Sequence, residues 1–107
     1  MSGDRVTDNA QHQRYEMPVT GGTAFVAYRR TGDVLTLDHA EVPSALEGQG
    51  LGGRLVMATL DDIRARGLKV VPRCSFVRAY MRRHPEYDDL LAGSSRSVKA
   101  SEPRNAE

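Results

Sequence analysis

The chain has 107 residues, of which 39% are hydrophobic and 27% are charged, a composition that predicts a globular domain. Its net charge of +1, from 15 basic and 14 acidic residues, gives no reason to expect a nucleic-acid or membrane partner. The single cysteine, Cys74, excludes an internal disulfide, and the lack of a signal-peptide pattern or a membrane-spanning apolar run favours a cytoplasmic location.

Composition divides the chain into three parts. Residues 1–11 are polar and without periodicity, and residues 93–107 are rich in Ser, Lys, Glu and Pro, so both predict flexible tails. Residues 12–92 predict one domain near the lower size limit for an independent fold, and we expect a monomer or a weak homodimer. No spacing of ligand-type side chains predicts a metal site.

Three short strands are predicted first. Arg14–Met17 alternates polar and apolar residues, Thr23–Arg30 is rich in aromatic and β-branched residues, and Val34–Val42 follows as the third. The turns between them contain Gly21-Gly22 and Thr31-Gly32-Asp33. Strands joined by such short turns predict an antiparallel meander.

A helix is predicted next, from about Gly50 to Arg66. Its apolar residues fall on one stripe at helical spacing, and most of its charged residues fall elsewhere. The stripe consists of Leu55, Val56, Thr59, Leu60 and Ile63. Gly67 is placed to end the helix in the left-handed conformation that glycine accommodates.

A fourth strand, a second helix and a short final turn complete the domain. Leu68–Val71 predicts the strand. Ser75 is a candidate cap for a helix that stops at His84, because the following Pro85 disfavours helical backbone there. Pro85–Leu91 predicts a helical turn.

The order β-β-β-α-β-α predicts an α/β (α+β) fold. The helix between the third and fourth strands gives a right-handed crossover between parallel neighbours, so the antiparallel meander is extended into a mixed sheet. We expect the ligand site at the carboxyl ends of the parallel pair, where the two strands part.

The glycine-rich run before the first helix is the most informative segment. Gly48, Gly50, Gly52 and Gly53 precede N–H groups that have no partners within the helix, which predicts an anion site and favours phosphate. The spacing G-x-G-x-x-G is a weak indication of a dinucleotide site, because a Pro-containing loop precedes the glycines and the next strand ends in Pro72-Arg73 rather than an acid. No Gly-Lys-Ser/Thr is present for a P-loop.

The segment Gly48-Gln49-Gly50-Leu51-Gly52 resembles motif A of the GCN5-related N-acetyltransferases, Q/R-x-x-G-x-G/A, whose amides hold the pyrophosphate of acetyl-coenzyme A. Gly50 and Gly52 match the two glycine positions, and Glu47 stands where the motif has Gln or Arg. Because the motif binds largely through backbone, the resemblance implies that this chain binds acetyl-coenzyme A.

The chain also resembles a group of small, stand-alone acetyltransferase-like domains. Their hallmarks are H-x-E-V, G-Q-G-x-G, G-L-K-V-x-P-x-C-x-F-V-x-x-Y and H-P-E-Y, and the chain has these at residues 39–42, 48–52, 67–80 and 84–87. The resemblance implies a minimal acyl-CoA N-acyltransferase fold with acetyl-coenzyme A as cosubstrate. Larger members carry helices between their first strands that often line the acceptor site, and the short Thr20-Gly21-Gly22 connection has no room for them.

Two groups of residues are candidates for binding the cosubstrate. The pyrophosphate cradle consists of Gly48, Gln49, Gly50, Leu51, Gly52, Gly53 and Arg54, the last of which is equally expected as a solvated side chain. The end of the third strand, Glu41 and Val42, is placed to pair with the pantetheine arm as an added strand. A basic face of Arg78, Arg82 and Arg83 is a candidate for the 3′-phosphate or is solvated.

Four residues are candidates for the chemistry: His39, Glu41, Cys74 and Tyr80. His39 and Glu41 are two apart on a strand, so they share a face unless a bulge intervenes, and either can accept the proton of an amine. Their alternative is a structural histidine and a surface glutamate. Cys74 precedes a helix N-terminus, which favours a thiolate that could carry the acetyl group, and its alternative is a small buried residue.

In the family, a tyrosine on the helix after the fourth strand often protonates the departing thiolate, and the resemblance implies this role for Tyr80. The alternative is a core aromatic on one stripe with Phe76 and Val77. The chain is therefore predicted to transfer an acetyl group from acetyl-coenzyme A directly to an amine, either a small molecule or a protein lysine. The alternative function is a non-catalytic module that binds coenzyme A or a partner protein.

Overall fold

The fold is a five-stranded mixed sheet with two α-helices packed on one face. The computed structural model of the chain describes residues 5–46, 48 and 50–93. The strands are β1 Thr7–Asn9, β2 Arg14–Val19, β3 Gly22–Thr31, β4 Val34–Glu41 and β5 Lys69–Pro72. The α-helices are α1 Leu51–Ala65 and α2 Ser75–Arg83, and 3-10 helices span Ser44–Leu46 and Pro85–Leu90.

The strands lie in the sheet in the order in which they occur along the chain. Neighbouring strands from β1 to β4 are antiparallel, whereas β4 and β5 are parallel. The crossover between the parallel strands contains α1. The predicted meander and mixed sheet are therefore confirmed, with strand ends shifted by one or two residues.

One hydrophobic core joins the sheet to the helices. Alternate side chains of β2, β3 and the first half of β4 point into it, as the period of a strand requires. All five residues of the predicted helix stripe are fully buried: Leu55, Val56, Thr59, Leu60 and Ile63. The hydroxyl of Thr59 donates to the carbonyl of Leu55 at 2.8 Å, so this buried polar group is satisfied. Among the described residues, no helix is both long and apolar enough to cross a membrane.

The left-handed end of α1 is confirmed, since Gly67 has a φ of 71°. The predicted cap of the second helix is wrong. Ser75 is the first helical residue of α2, and Cys74 is the extended N-cap residue, with no side-chain capping bond. The N–H of Cys74 donates to the carbonyl of Leu37 at 3.0 Å, so strand β4 fixes the start of this helix.

The predicted N-terminal tail is wrong over part of its length, because residues 1–11 contain β1. Strand β1 pairs with β2, from Thr7 opposite Glu16 to Asn9 opposite Arg14. Asp8 lies in this strand, and its carboxylate accepts hydrogen bonds from distant residues. Such tertiary partners order a polar segment that has no apolar periodicity of its own. Of the predicted C-terminal tail, residues 94–107 lie outside the described residues.

A polar network ties β1 to the far end of α1. The Tyr28 hydroxyl donates to Asp8 at 2.6 Å, and the Tyr15 hydroxyl donates to Asp62 at 2.6 Å. The Arg66 guanidinium lies 3.0 Å from each of the two carboxylates. Burial, followed by the hydrogen bond to the carboxylate, raises the pKa of both tyrosines, that of Tyr28 from 10.0 to about 12.

We expect the network to lose its contribution to stability in alkaline solution. A pKa that is higher in the folded protein gives stability that is complete below the unfolded value near 10.0 and is lost as the pH rises to about 12. The free energy of unfolding, measured in urea at steps between these pH values, should fall less steeply for Tyr28→Phe than for the wild type. Parallel pH profiles for the two proteins would contradict this expectation.

Candidate functional site

Strands β4 and β5 separate halfway along β4. Their parallel pairing runs from Val34 opposite Lys69 to Leu37 opposite Pro72. The N–H groups of Arg73 and Cys74 then both donate to the carbonyl of Leu37, at 3.0 Å each. Beyond that point β4 pairs only with β3 among the described strands. This leaves an open backbone edge on the side from which β5 has departed.

A β-bulge at the same point changes which side chains of β4 face the helices. Ala27 lies opposite His39 and Tyr28 lies opposite Leu37, so Asp38 is the extra residue on β4. Before the bulge Leu37 points into the core, and after it Ala40 packs against the core. The bulge therefore sends His39 to the opposite face of the sheet.

A cavity of about 510 Å³ opens between the end of β4, the start of α1 and the start of α2. Apolar side chains from the end of β4 and from α1 form much of its lining, Glu41 adds a carboxylate, and the glycines add backbone. The lining residues are Ala40, Glu41, Val42, Leu46, Gly48, Gly50, Leu51, Gly52, Gly53, Leu55 and Phe76. Its volume lies within the range for small-molecule sites. The cavity lies where the parallel strands part, as the topology predicts.

Two glycines shape the entrance to α1. Gly48 has a φ of 88°, and Gly50, the N-cap residue of α1, has a φ of 76°. A Cβ added at either position would meet no atom within 4 Å, so the left-handed backbone, rather than lack of space for a Cβ, favours glycine. These turns bring the chain onto the helix with its backbone exposed along the cavity.

The first turn of α1 presents backbone N–H groups to the cavity. The first intrahelical bond runs from the Arg54 N–H to the Gly50 carbonyl at 3.2 Å, so the N–H groups of Leu51, Gly52 and Gly53 have no partner within the helix. Together with the helix dipole they suit a phosphate. Arg54 is exposed beside them. Gln49, a predicted member of this cradle, and Glu47 lie outside the described residues.

His39 and Glu41 share a face, as their spacing predicts. His39 Nε2 lies 3.1 Å from Glu41 Oε1, and the two side chains are 60% and 59% exposed. The His39 ring also contacts Phe25, with 6.0 Å between centroids. This pair lies on the face of the sheet away from the helices, yet Glu41 also lines the cavity. Glu41 thus connects the cavity to the open face.

Cys74 is half-buried and packs against the core at the point where β4 and β5 part. It is not among the residues that line the cavity. The backbone of Cys74 is hydrogen-bonded to Leu37, the residue before the bulge, where the unpaired edge of β4 begins.

Tyr80 lies on α2 and is only 7% exposed. Its ring packs 3.8 Å from where a Cβ of Gly53 would stand and stacks on His84, with 4.1 Å between centroids. Burial, followed by the negative charges of Asp61 and Glu86, raises the pKa of its hydroxyl, which therefore keeps its proton at neutral pH. Tyr80 packs next to Gly53 in the first turn of α1, and it is not among the residues that line the cavity.

Phe76, like Ala40, Leu46 and Leu55, lines the cavity without having been predicted as a site residue. It was expected in the core with Val77 and Tyr80, yet it is 41% exposed and lines the cavity, whereas Val77 is fully buried. The signal for it is Gly52, a glycine within a helical turn, whose Cβ would lie 2.8 Å from the Phe76 ring.

The basic residues of α2 do not join this cavity. Arg78 donates to the carbonyls of Arg73 at 2.7 Å and Pro72 at 3.4 Å. Arg78 and Arg82 line a separate cavity of about 200 Å³. Within residues 5–46, 48 and 50–93, no group of three or more His, Cys, Asp or Glu side chains could hold a metal ion.

Comparison with protein families gives a match over most of the chain. A family model described as GCN5-related N-acetyl-transferase matches residues 14–90. These residues include β2 to β5, both α-helices and the cavity lining.

Two relatives and one solved structure illustrate the similarity. Protein NATD1 of Mus musculus is 29% identical over 84 residues, which is 76% of each chain. Protein NATD1 of Homo sapiens is 27% identical over 84 residues, 76% of this chain and 74% of the relative. The NMR solution structure of a GCN5-like protein from Staphylococcus aureus gives a TM-score of 0.65 at 24% identity, covering 85% of this chain and 90% of that one. At that identity, the last likeness shows the fold alone.

Proposed function

The chain belongs to the GCN5-related N-acetyltransferase family, and from this premise we propose that it transfers the acetyl group of acetyl-coenzyme A to an amine. The observation that carries the proposal is the glycine turn into α1, which opens onto a cavity beside a strand edge that no other described strand pairs with. A phosphate-binding helix start next to a free strand edge suits a ligand with phosphates at one end and amides along its arm.

The binding roles follow from the two ends of the cavity. The amides of Gly50 to Gly53 would hold the pyrophosphate, with the positive end of the α1 dipole behind them. The backbone of Glu41 and Val42 would pair with the amide-bearing arm as an added strand. Alkyl parts of the arm would contact the apolar wall of Ala40 and Leu55.

The cosubstrate supplies an acetyl thioester. At the thioester the amine nitrogen bonds to the carbonyl carbon while the bond to sulfur breaks, and the amine loses a proton. We assign acceptance of that proton to the His39–Glu41 pair, whose partners lie 3.1 Å apart on the open face. The family resemblance implies Tyr80 as donor to the departing thiolate, and its hydroxyl keeps its proton, but Tyr80 does not line the cavity. We therefore assign it no contact with the sulfur, and the thiolate takes its proton from water.

Titration with acetyl-coenzyme A tests the binding part of the proposal. We expect heat in calorimetry and amide chemical-shift changes at Gly48, Gly50–Arg54 and Ala40–Val42. The turn at Gly32, at the other end of β4, should keep its shifts. No heat and no shift change at the glycines would end the proposal.

The second candidate function is a module that binds coenzyme A without transferring an acetyl group. The favouring observation is the connection between β2 and β3, which consists of Thr20 and Gly21 and so contains no helix that could line an acceptor site. Assays of thioester consumption with a panel of primary amines, polyamines and lysine peptides separate the two functions. Binding without turnover across the panel favours the module.

Replacing Cys74 with alanine is expected to leave transfer unimpaired, within about a factor of three, because an exposed, preorganised base needs no covalent relay. Intact-mass analysis after incubation with acetyl-coenzyme A should show no lasting adduct on either protein. A gain of one acetyl group on the wild type alone, together with lost turnover in the variant, would instead assign the acetyl-cysteine route to Cys74.

A further inference from the structure

The backbone conformation of Gly52 does not require glycine, so another feature of the structure must favour it. Unlike Gly48 and Gly50, it does not have a positive φ and lies in the first turn of α1. Glycine in a helix is less favourable than alanine, so a helical glycine indicates a close neighbour. That neighbour is the ring of Phe76, whose Cζ and Cε2 atoms would lie 2.8 and 3.2 Å from a Cβ at this position.

The Phe76 ring is also unusually exposed for its type. Among the described residues, Phe76 and Met57 are the two large hydrophobic side chains that are exposed, at 41% and 42%. Only Phe76 of these two lines the cavity. Atoms Cζ and Cε2 of the ring lie next to Gly52, and the residue lines the cavity. An exposed phenyl ring that lines a cavity is a ready contact for an apolar ligand segment.

The cavity that the ring lines has other apolar walls. Ala40 of β4, Val42 directly after the strand and Leu55 of α1 also line it. Phosphate oxygens gain nothing from such walls, whereas an alkyl segment is removed from water between them. The apolar part of the cavity therefore suits the arm of the cosubstrate and not its nucleotide.

We propose that Phe76 is a positioning residue that selects the pantetheine arm and holds it against the edge of β4, and that Gly52 lacks a side chain to seat this ring. The inference rests on the proposed binding of coenzyme A and adds to it the residue that distinguishes the arm from the nucleotide. The ring takes no part in bond making.

Calorimetry with two ligands tests this role. Coenzyme A carries the arm, and 3′-phospho-ADP carries the same phosphates without it. We expect Phe76→Ala to weaken binding of coenzyme A about tenfold, the effect of uncovering part of a phenyl ring, and to change binding of 3′-phospho-ADP less than twofold. Met57→Ala, which removes an equally exposed side chain outside the cavity, should change neither.

A double substitution tests the seat of the ring. Gly52→Ala should lower both the melting temperature and the affinity for coenzyme A, and Phe76→Leu in the same chain should restore the melting temperature, because the shorter side chain leaves room for the added methyl group. If Gly52 is required only by the phosphates, Gly52→Ala lowers the affinity for coenzyme A but leaves the melting temperature unchanged or higher, because alanine is the better helix residue, and this would overturn the assignment of the glycine to the ring.

The outcomes separate this inference from the proposed function. A wild-type protein that binds neither ligand overturns the proposed function and the arm-selecting role together, while the melting temperatures still judge the seat of the ring. Normal wild-type binding with equal losses of both ligands in Phe76→Ala overturns the arm-selecting role alone.

Discussion

Replacing Gly50 with aspartate is expected to weaken binding of acetyl-coenzyme A about a hundredfold or more, because it places a carboxylate where the pyrophosphate is proposed to bind. Gly50 lines the cavity, and a Cβ added there meets no atom within 4 Å, so the backbone has room for a side chain to begin. The carboxylate would also take up the amides of the first turn of α1, which are then unavailable to the ligand.

The change should leave the protein folded. A non-glycine residue at a φ of 76° is strained, and aspartate is among the residues that tolerate this conformation best. The favourable position of a negative charge at a helix start offsets part of the strain, so we expect a loss of unfolding free energy of about 1 kcal/mol at most. Calorimetry and urea unfolding of the same preparation measure the two effects separately.

Two matched variants separate charge from strain. Gly50→Asn has nearly the same size and backbone strain without the charge, and should lose about tenfold in affinity. Gly32→Asp places the same residue at a φ of 60° in the β3–β4 turn, away from the cavity, and should bind normally. Equal affinity of Gly50→Asp and the wild type would show that phosphates do not occupy the start of α1.

Local patterns predicted the parts of the fold that depend on local preferences. The helical spacing from Leu55 to Ile63 predicted α1 because a helix on a sheet must bury one stripe. The short turn at Gly32 and the glycine at position 67 predicted a meander and a helix end, because both need a left-handed backbone. The cavity followed from the topology, since a parallel pair that parts leaves a crevice at its carboxyl end.

The features that were missed depend on distant partners. Strand β1 is ordered by the contacts of Asp8 with Tyr28 and Arg66, which lie 20 and 58 residues away along the chain. The bulge at Asp38 exists only in the register of β4 against β3. Phe76 lies at the cavity because Gly52 leaves room for its ring, and a contact between residues so far apart in sequence leaves no trace in the helical spacing of apolar residues.

The bulge gives the candidate catalytic pair its position. Without the extra residue Asp38, the alternation of β4 would continue from Leu37 and turn His39 toward the helices. With it, the pair faces the open side of the sheet while Ala40 and Val42 line the cavity. On the proposed function, an amine would approach from the open face, and Glu41, which also lines the cavity, would lie between the His39 ring and the thioester.

Removing the imidazole is therefore expected to lower kcat for amine acetylation about a hundredfold in His39→Ala, the usual contribution of a positioned proton acceptor. The KM for acetyl-coenzyme A should stay within about twofold, because the β4 backbone and the glycine amides are untouched. Glu41→Gln should lower kcat about tenfold, because it keeps the size of the side chain but removes the negative charge beside the His39 ring. Steady-state kinetics with an amine identified from the panel measures all three values.

If His39 and Glu41 act as one unit, the double variant His39→Ala with Glu41→Gln loses no more than His39→Ala alone, because an orienting carboxylate has nothing left to orient. Asp38→Asn is the matched control on the same strand. It removes one charge from the exposed Arg29–Asp38 pair, 2.7 Å apart, and should leave kcat unchanged. Equal losses of kcat in Asp38→Asn and Glu41→Gln would show that Glu41 acts only through its surface charge. A loss in the double variant equal to the product of the two single losses would show that His39 and Glu41 act separately.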